Sequence, residues 1–172
     1  MKNGVFEERT ANGVLSISGA FKDGKKDGSW EFYEYQGILE KKLSYKADSL
    51  DGEYLVLSII GDTITAGNYQ MGKKDGFWLW KTPEKNVEMC GFFHQDLQDS
   101  TWHYYFSSGE ISYIAHFDKG KRTGEWNYYY QNGASYRKGN YLNDQREGTW
   151  QTWYEDGVLL MNGQYQQGKE EG

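Results

Sequence analysis

The sequence predicts an all-β fold, in which about seven β-hairpins form a single elongated, twisted antiparallel meander. Three observations predict it. A 24-residue pattern recurs along the whole chain without insertion or deletion. Aromatic residues make up 17% of the 172 residues, and they alternate with polar ones in the recurring segments. Glycine occurs 22 times and proline once, a composition typical of strands joined by tight turns.

Three sets of positions, most of them occupied by glycine, define the pattern and its predicted elements. One set lies on return strands: Gly19, Leu43, Gly67, Gly91, Ala115, Gly139 and Gly163. A second set precedes a large ring by two positions: Gly4, Gly28, Gly52, Gly76, Ser100, Gly124 and Gly148, with Gly172 closing the series. The third marks hairpin turns: Gly13, Gly37, Gly61, Lys85, Gly109, Gly133 and Gly157. We therefore expect one repeat domain over 1–172, with hairpin units 4–27, 28–51, 52–75, 76–99, 100–123, 124–147 and 148–172.

Each unit reads as a first strand, a tight turn and a return strand. The pair Asn132-Gly133 predicts a two-residue type I′ turn, which needs positive φ at both central positions. The equivalent Glu84-Lys85 follows Pro83, and we expect a longer or distorted loop there. A polar loop of about six residues, such as 22–27, then leads to the next unit.

These turns set the expected register. Counting back from Asn132-Gly133 places Trp126 opposite Gly139. If the longer loop lets Phe117 face Gly124, rings alternate with small residues in two rows across the sheet. The first row reads Gly67, Trp78, Gly91, Trp102, Ala115, Trp126, Gly139, Trp150 and Gly163, and the second reads Tyr69, Gly76, Phe93, Ser100, Phe117, Gly124, Tyr141, Gly148 and Tyr165. Each ring would then cover the bare backbone of its neighbour.

Charge and composition exclude several classes of protein. The formal net charge is −6 and the isoelectric point is near 5.1, so nucleic acid is not an expected partner.

The start, MKNGVFEERT, lacks the apolar stretch of a signal peptide. We expect a cytoplasmic protein, or a secreted or membrane-tethered one if a targeting segment lies outside this sequence. Since both ends are open edges, we expect a longer native protein or end-to-end self-association.

The residues that catalysis or metal binding would use are sparse. His94, His103 and His116 occur close together, and the register places Cys90 opposite His103. No third orienting group is apparent, so structural roles are favoured. The loop 23–28 resembles a calcium loop, but Lys25 fills a ligand position. A solvated turn, in which Asp bonds its own backbone, is favoured there. We predict no enzymatic activity, no metal and no cofactor.

Two surfaces are candidates for binding. Basic loops occur at Gly24-Lys25-Lys26, Gly72-Lys73-Lys74, Gly120-Lys121-Arg122 and Gly168-Lys169, and they could meet anionic lipid or an acidic partner. An aromatic trough is predicted in the C-terminal half, because rings there occupy alternate positions. Its residues are Trp102, Tyr104, Phe106, Trp126, Tyr128, Tyr130, Trp150 and Tyr154.

The 24-residue unit, with the pattern G-x-[FY]-x-x-G-K-x-x-G-x-W-x-x-Y-x-x-x-G, resembles the MORN repeat, specifically its bacterial variant. Segments 19–37 and 115–133 carry it best, while Tyr54, Leu57, Lys81 and Lys85 depart from it. The resemblance implies an extended sheet of hairpins without enzymatic activity. It also implies a relation to bacterial proteins often described as antitoxin components of toxin–antitoxin modules, and to scaffolds proposed to bind phospholipid.

Three functions therefore stand as hypotheses. The first is a protein-interaction module, of antitoxin or immunity type, that neutralises a partner, for example a basic toxin, through its aromatic face. The second is a membrane-associated scaffold that binds anionic phospholipid through its basic loops. The third is a carbohydrate-binding repeat, because stacked Trp and Tyr rings suit sugar rings.

Overall fold

The computed structural model describes residues 2–171 and is all-β. It contains seventeen strands, every pairing given for them is antiparallel, and no helix occurs among the described residues. The predicted all-β hairpin meander is therefore confirmed. The chain divides into two compact units, Met1–Lys85 and Asn86–Gly172. Gly172, which closes the predicted glycine series, lies outside the described residues.

The first unit contains nine strands, two of them very short. They are β1 (Gly4–Arg9), β2 (Leu15–Lys22), β3 (Lys25–Lys26), β4 (Gly28–Tyr33), β5 (Leu39–Lys46), β6 (Ser49–Leu57), β7 (Thr63–Gln70), β8 (Lys73–Lys74) and β9 (Gly76–Lys81). The short strands β3 and β8 continue into β4 and β9 after a one-residue interruption. Each pair is thus one first strand of a hairpin.

The second unit contains eight strands. They are β10 (Val87–His94), β11 (Leu97–Tyr105), β12 (Ile111–Asp118), β13 (Lys121–Tyr129), β14 (Ser135–Leu142), β15 (Gln145–Trp153), β16 (Leu159–Gln166) and β17 (Lys169–Glu171). From β10 to β17, each strand pairs with the next one along the chain. The chain within this unit is therefore a meander.

The turn inside each hairpin differs from the predicted type I′ turn. It is a three-residue loop, in which the Gly133 N–H donates to the Tyr130 carbonyl oxygen at 2.9 Å and only Gly133 has positive φ. This is a type I turn followed by a left-handed glycine. The position of Asn132 is occupied by Ile60 or Glu84 in other repeats. Such residues disfavour the positive φ that a type I′ turn would require there.

The predicted distortion at Pro83 is also wrong. The Lys85 N–H donates to the Thr82 carbonyl oxygen at 2.9 Å, and Lys85 takes the left-handed conformation with φ of 72°. Pro83 stands at the second position of the turn, where its fixed φ of about −65° fits a type I turn. The loop thus has the same form as in the other repeats.

The connection between hairpins is a second tight turn, and the predicted six-residue loop is wrong. Lys22 pairs with Lys25, so only Asp23 and Gly24 form the turn, with φ of 53° and 81°. Positive φ at both positions is typical of a type I′ turn. The equivalent second position is aspartate at Asp48, Asp96 and Asp144, with φ of 70° to 72°, because a short polar side chain tolerates the left-handed region.

A bulge reconciles the two tight turns with the position of the tryptophan. In the pairing of β12 with β13, Ile114 faces Asn127 but His116 faces Thr123. A single residue, Ala115, therefore lies opposite the three residues 124–126. The first of these three, Gly124, has a φ of 60°. Extra residues on one strand bend it and re-aim the following side chain. This bulge explains the second glycine set, which requires positive φ.

The register prediction is correct for the first row within each unit and partly wrong for the second. Trp126 faces Gly139 and Trp150 faces Gly163, as predicted. These pairs survive the different turn because a one-residue irregularity after Tyr128 compensates for it. Phe117, however, faces Arg122 instead of Gly124. The shorter connecting turn places the residue two positions before Ser100, Gly124 or Gly148 opposite the ring, so that Gln98 faces Phe93, Arg122 faces Phe117 and Arg146 faces Tyr141.

We predict that Gly139→Val destabilises the protein by about 1–3 kcal/mol, the usual cost of overpacking. A Cβ at Gly139 would overlap the Trp150 ring. The melting temperature, followed by circular dichroism, measures the effect. Gly163→Val is the matched control, because this glycine has the same repeat position and its nearest neighbour is the flexible Glu170 carboxylate at 3.0 Å. Equal melting temperatures for the two variants would contradict the ring-over-glycine contact.

Candidate functional site

Within each unit, the tryptophans of the repeat form the floor of one sheet face, which we call the tryptophan face. A Cβ atom placed on Gly19, Gly67, Gly91 or Gly139 would overlap a tryptophan ring. The rings concerned belong to Trp30, Trp78, Trp102 and Trp150. The bare glycine backbone is therefore what lets each ring lie flat on the preceding strand.

A hydrogen bond fixes each of these rings. The Trp30 Nε1–H donates to the Ala20 carbonyl oxygen at 3.2 Å, ten residues earlier. The same bond recurs from Trp78 to Asn68, Trp102 to Phe92, Trp126 to His116 and Trp150 to Asn140, at 3.0–3.2 Å. A buried indole N–H needs such an acceptor. Each tryptophan is therefore held in both position and orientation.

Further rings pack edge-on against this floor. Phe93 and Phe117 flank Trp102 at ring distances of 5.0 and 6.4 Å, with interplanar angles of 84° and 80°. Tyr141 contacts Trp150 in the same way at 5.0 Å. Edge-to-face pairs contribute about 0.5–1.5 kcal/mol each beyond area burial. The aromatic cluster is thus the core of each unit.

Cations cover the rings at the edge formed by the connecting turns. Lys26 Nζ lies 4.5 Å from the centre of the Trp30 ring, and Arg122 lies 4.4 Å from that of Tyr141. Lys74 over Trp78 and Arg146 over Trp150 repeat the contact at 4.8 Å. This role was not predicted, although the basic positions recur with the repeat. These basic side chains cap the core instead of pointing away from it.

A row of tyrosines lies beside the tryptophans in the second unit. Tyr104 and Tyr113 pair across β11 and β12, and their rings stack at 4.1 Å with an interplanar angle of 10°. Tyr128 pairs with Tyr113 from β13, and its ring stacks at 5.5 Å. All three are half-buried. We call Tyr104, Tyr113 and Tyr128 the tyrosine row.

Arg137 continues this row from the next strand. It pairs with Tyr128 on one side and with the buried Thr152 on the other. Its guanidinium lies 5.4 Å from the centre of the Trp150 ring. Neither Tyr113 nor Arg137 was predicted, because both lie on return strands, whereas the prediction followed the alternating rings of first strands.

The eight predicted trough residues fall into three groups. Trp102, Trp126 and Trp150 are buried, with 1%, 7% and 1% of their surface exposed, so they support the surface from below. Tyr104 and Tyr128 belong to the tyrosine row. Phe106, Tyr130 and Tyr154 lie where the first strand enters the hairpin turn. The structure therefore brings the first five together on the tryptophan face and places the other three at the turn edge.

The opposite face carries polar pairs and the histidines. Cys90 faces His103, as predicted. His116 Nδ1 lies 3.0 Å from the Thr101 hydroxyl oxygen, and Lys138 forms a 2.8 Å ion pair with Glu125. Over residues 2–171 no group of three or more His, Cys, Asp or Glu side chains is placed to hold a metal ion. The neighbours of His103 and His116 are thus Cys90 and Thr101, respectively.

Carboxylates at the connecting turns join consecutive repeats. Asp27 accepts a hydrogen bond from the Ala47 N–H at 3.4 Å, and Asp48 accepts one from the Lys26 N–H at 2.7 Å. The expectation that aspartate in 23–28 bonds its own backbone is therefore wrong for Asp27, whose carboxylate accepts from the next connecting turn. Since the type I′ turns of adjacent hairpins lie side by side, the acceptor belongs to one repeat and the donor to another.

Burial controls the acidity of the tyrosine row. It raises the pKa of Tyr128 to about 12, with a smaller contribution from Tyr141. It also raises the pKa of Tyr113, to which the neighbouring Tyr104 adds. The hydroxyls therefore stay protonated at neutral pH and present hydrogen-bond donors rather than negative charge.

We predict that these tyrosines make the fold sensitive to alkaline pH. A tyrosine in the unfolded chain has a pKa of about 10, which is below the folded value. The contribution of these tyrosines to stability is therefore fully present below pH 10 and is lost as the pH rises toward 12. Melting temperatures at pH 8.5, 10 and 11 measure the loss. Tyr113→Phe with Tyr128→Phe should reduce the fall by about 2–4 °C. An unchanged fall would contradict the burial of these hydroxyls.

Comparison with known proteins supports a repeat module. A model of the MORN repeat variant family matches two adjacent segments of the second unit, residues 122–143 and 146–167. No curated protein matches the chain. In the described part of the chain, no helix has the length and apolarity to cross a membrane. No catalytic family is found, and these two segments are similar to a non-enzymatic repeat that mediates protein or membrane interactions.

Proposed function

We propose that this chain is a non-enzymatic protein-binding module that holds a partner protein against the tyrosine row. The observation that carries the proposal is the continuous stack of Tyr104, Tyr113 and Tyr128, half-exposed above buried tryptophans. Tyrosine, tryptophan and arginine are the residues most enriched at the energetic centres of protein interfaces. Arg137 adds a charged group to the same row.

Rigidity of the row favours binding. The Trp126 ring contacts both Tyr113, at 6.2 Å, and Tyr128, at 6.1 Å, while its own N–H is bonded to the His116 carbonyl oxygen. The tyrosine rings are therefore already ordered before a partner arrives. A surface that is ordered in advance loses little side-chain entropy on binding, which improves affinity.

Charge indicates the kind of partner. With a net charge of −6, the chain attracts a basic protein over long range and accelerates encounter. A small acidic protein that covers a basic partner in this way would act as an antitoxin or immunity-type protein. We therefore propose a basic toxin as the partner class.

The contacts of the cations favour protein binding over the lipid-binding alternative. Lys26, Lys74 and Arg122, the second basic residue of three predicted loops, lie over aromatic rings of the chain itself. Such cations contribute less attraction to an anionic membrane than free surface charges do. The tyrosine row needs no rearrangement to become a contact surface.

We predict that Tyr104→Ala with Tyr128→Ala weakens binding of the native partner at least about tenfold, as loss of interface anchors does. The partner is identified by mass spectrometry after co-purification from the native host, and its affinity is measured with purified proteins. Tyr33→Ala, on the opposite face of the first unit, is the control and should change nothing. Equal affinity of the double variant, with its fold intact by circular dichroism, would contradict the proposal.

A further inference from the structure

The face opposite the tryptophans carries a second series of rings in the second unit. Tyr105, Tyr129 and Trp153 occupy the same repeat position, 24 residues apart, at the ends of β11, β13 and β15. They lie two residues after His103, Asn127 and Gln151, so strand alternation places them on the polar face. All three are half-buried. We call them the ring ladder.

Smaller side chains lie between the rings. Tyr105 pairs with Ile111, Tyr129 with Ser135 and Trp153 with Leu159. The ladder thus alternates a ring with an aliphatic or small residue. The resulting depressions between rings can receive an apolar side chain.

One of these depressions is a cavity of about 520 Å³, lined by Gly109, Glu110, Ile111, Tyr129 and Gly133. The two glycines belong to consecutive hairpin turns and have φ of 102° and 84°. A Cβ on Gly133 would meet no atom within 4 Å. The turns therefore leave open space beside the ring and next to a carboxylate.

The spacing of the ladder indicates the shape of its ligand. Rings on every second strand are about 9.6 Å apart, since neighbouring strands are separated by about 4.8 Å. A polyproline II helix repeats every three residues, or about 9.3 Å. An extended β-strand presents side chains to one face every ~6.8 Å, which does not match the ladder. Successive proline pairs could thus enter successive depressions.

The border of the ladder determines the charge of the ligand. The hairpin-turn segments 106–110, 130–134 and 154–158 contain Glu110, Glu155 and Asp156 and no lysine or arginine. The Tyr130 hydroxyl donates to the Trp153 carbonyl oxygen at 2.8 Å and ties the second of these turns to the end of β15, directly before the third. We propose that the ring ladder binds a proline-rich, lysine- or arginine-bearing segment in the polyproline II conformation.

This site is separate from the tyrosine row and can be tested alone. The first unit has Tyr33, Leu57 and Lys81 at the ladder position, so only the second unit has three consecutive rings. Tyr33→Ala is therefore a matched control, which removes the same kind of ring outside the ladder. Variants of the tyrosine row should bind the proline-rich ligand normally, which distinguishes failure of one proposal from failure of the other.

The experiment titrates the purified full chain with a fluorescently labelled, capped nine-residue peptide made of three Pro-Pro-Lys repeats, followed by fluorescence anisotropy. We expect saturable binding below ~1 mM. Tyr129→Ala and Trp153→Ala should each weaken binding at least about tenfold, whereas Tyr33→Ala should leave it unchanged. Exposed Glu155→Lys with Asp156→Asn changes the charge of the border, while the asparagine oxygen can still accept the Val158 N–H that Asp156 binds at 3.0 Å. This variant should weaken binding about fivefold at low salt.

Two control peptides define the outcomes that would overturn the proposal. Glycine in place of proline removes the preformed polyproline II helix, and glutamate in place of lysine reverses the charge. If the glycine peptide binds as strongly as the proline peptide, the contact is only a non-specific attraction between charges, and the proposal is overturned. Equal binding by the parent protein and the Glu155→Lys with Asp156→Asn variant, or absence of saturation, would also overturn it.

Discussion

The contact of a tryptophan ring with bare glycine backbone is the interaction on which the rest of this structure depends. It buries an indole on a sheet for which no second layer of strands or helices is described within either unit. The ring removes the backbone of Gly139 or Gly91 from water, while its Nε1–H finds an acceptor on the preceding strand. One side chain thereby supplies apolar burial and polar satisfaction together.

The connecting turns and the bulge together set the register that brings each tryptophan to this contact. The tight turn at Lys119-Gly120 places Phe117 opposite Arg122, and by itself it would leave Trp126 out of line with Ala115. The left-handed Gly124 shifts the strand and returns the tryptophan to its place against Ala115. Since the same elements recur in each repeat, neighbouring hairpins can stack with the same local geometry.

The sheet consequently offers two chemically different faces for recognition. On the tryptophan face, the rings used for stability also support the tyrosine row, so stability and the proposed binding share one set of contacts. The opposite face needs no rings for its core, yet Tyr105, Tyr129 and Trp153 occur there at the repeat period. Because these rings have no comparable role in holding the tryptophans, binding is a coherent reason for their presence.

The sequence alone determined the repeat, the all-β class and the pairing of Trp126 with Gly139, because a strict 24-residue period fixes which residues recur at one structural position. It also predicted five of the residues that come together on the tryptophan face. Only the tertiary structure decided the turn types, since Met71 and Gln95 take positive φ values that residues with such side chains rarely adopt. It likewise decided that Arg122 covers a ring and that Tyr113 and Arg137 join the surface. These contacts link residues on different strands, and their register depends on the number of residues in each turn and bulge, which the repeat period leaves open.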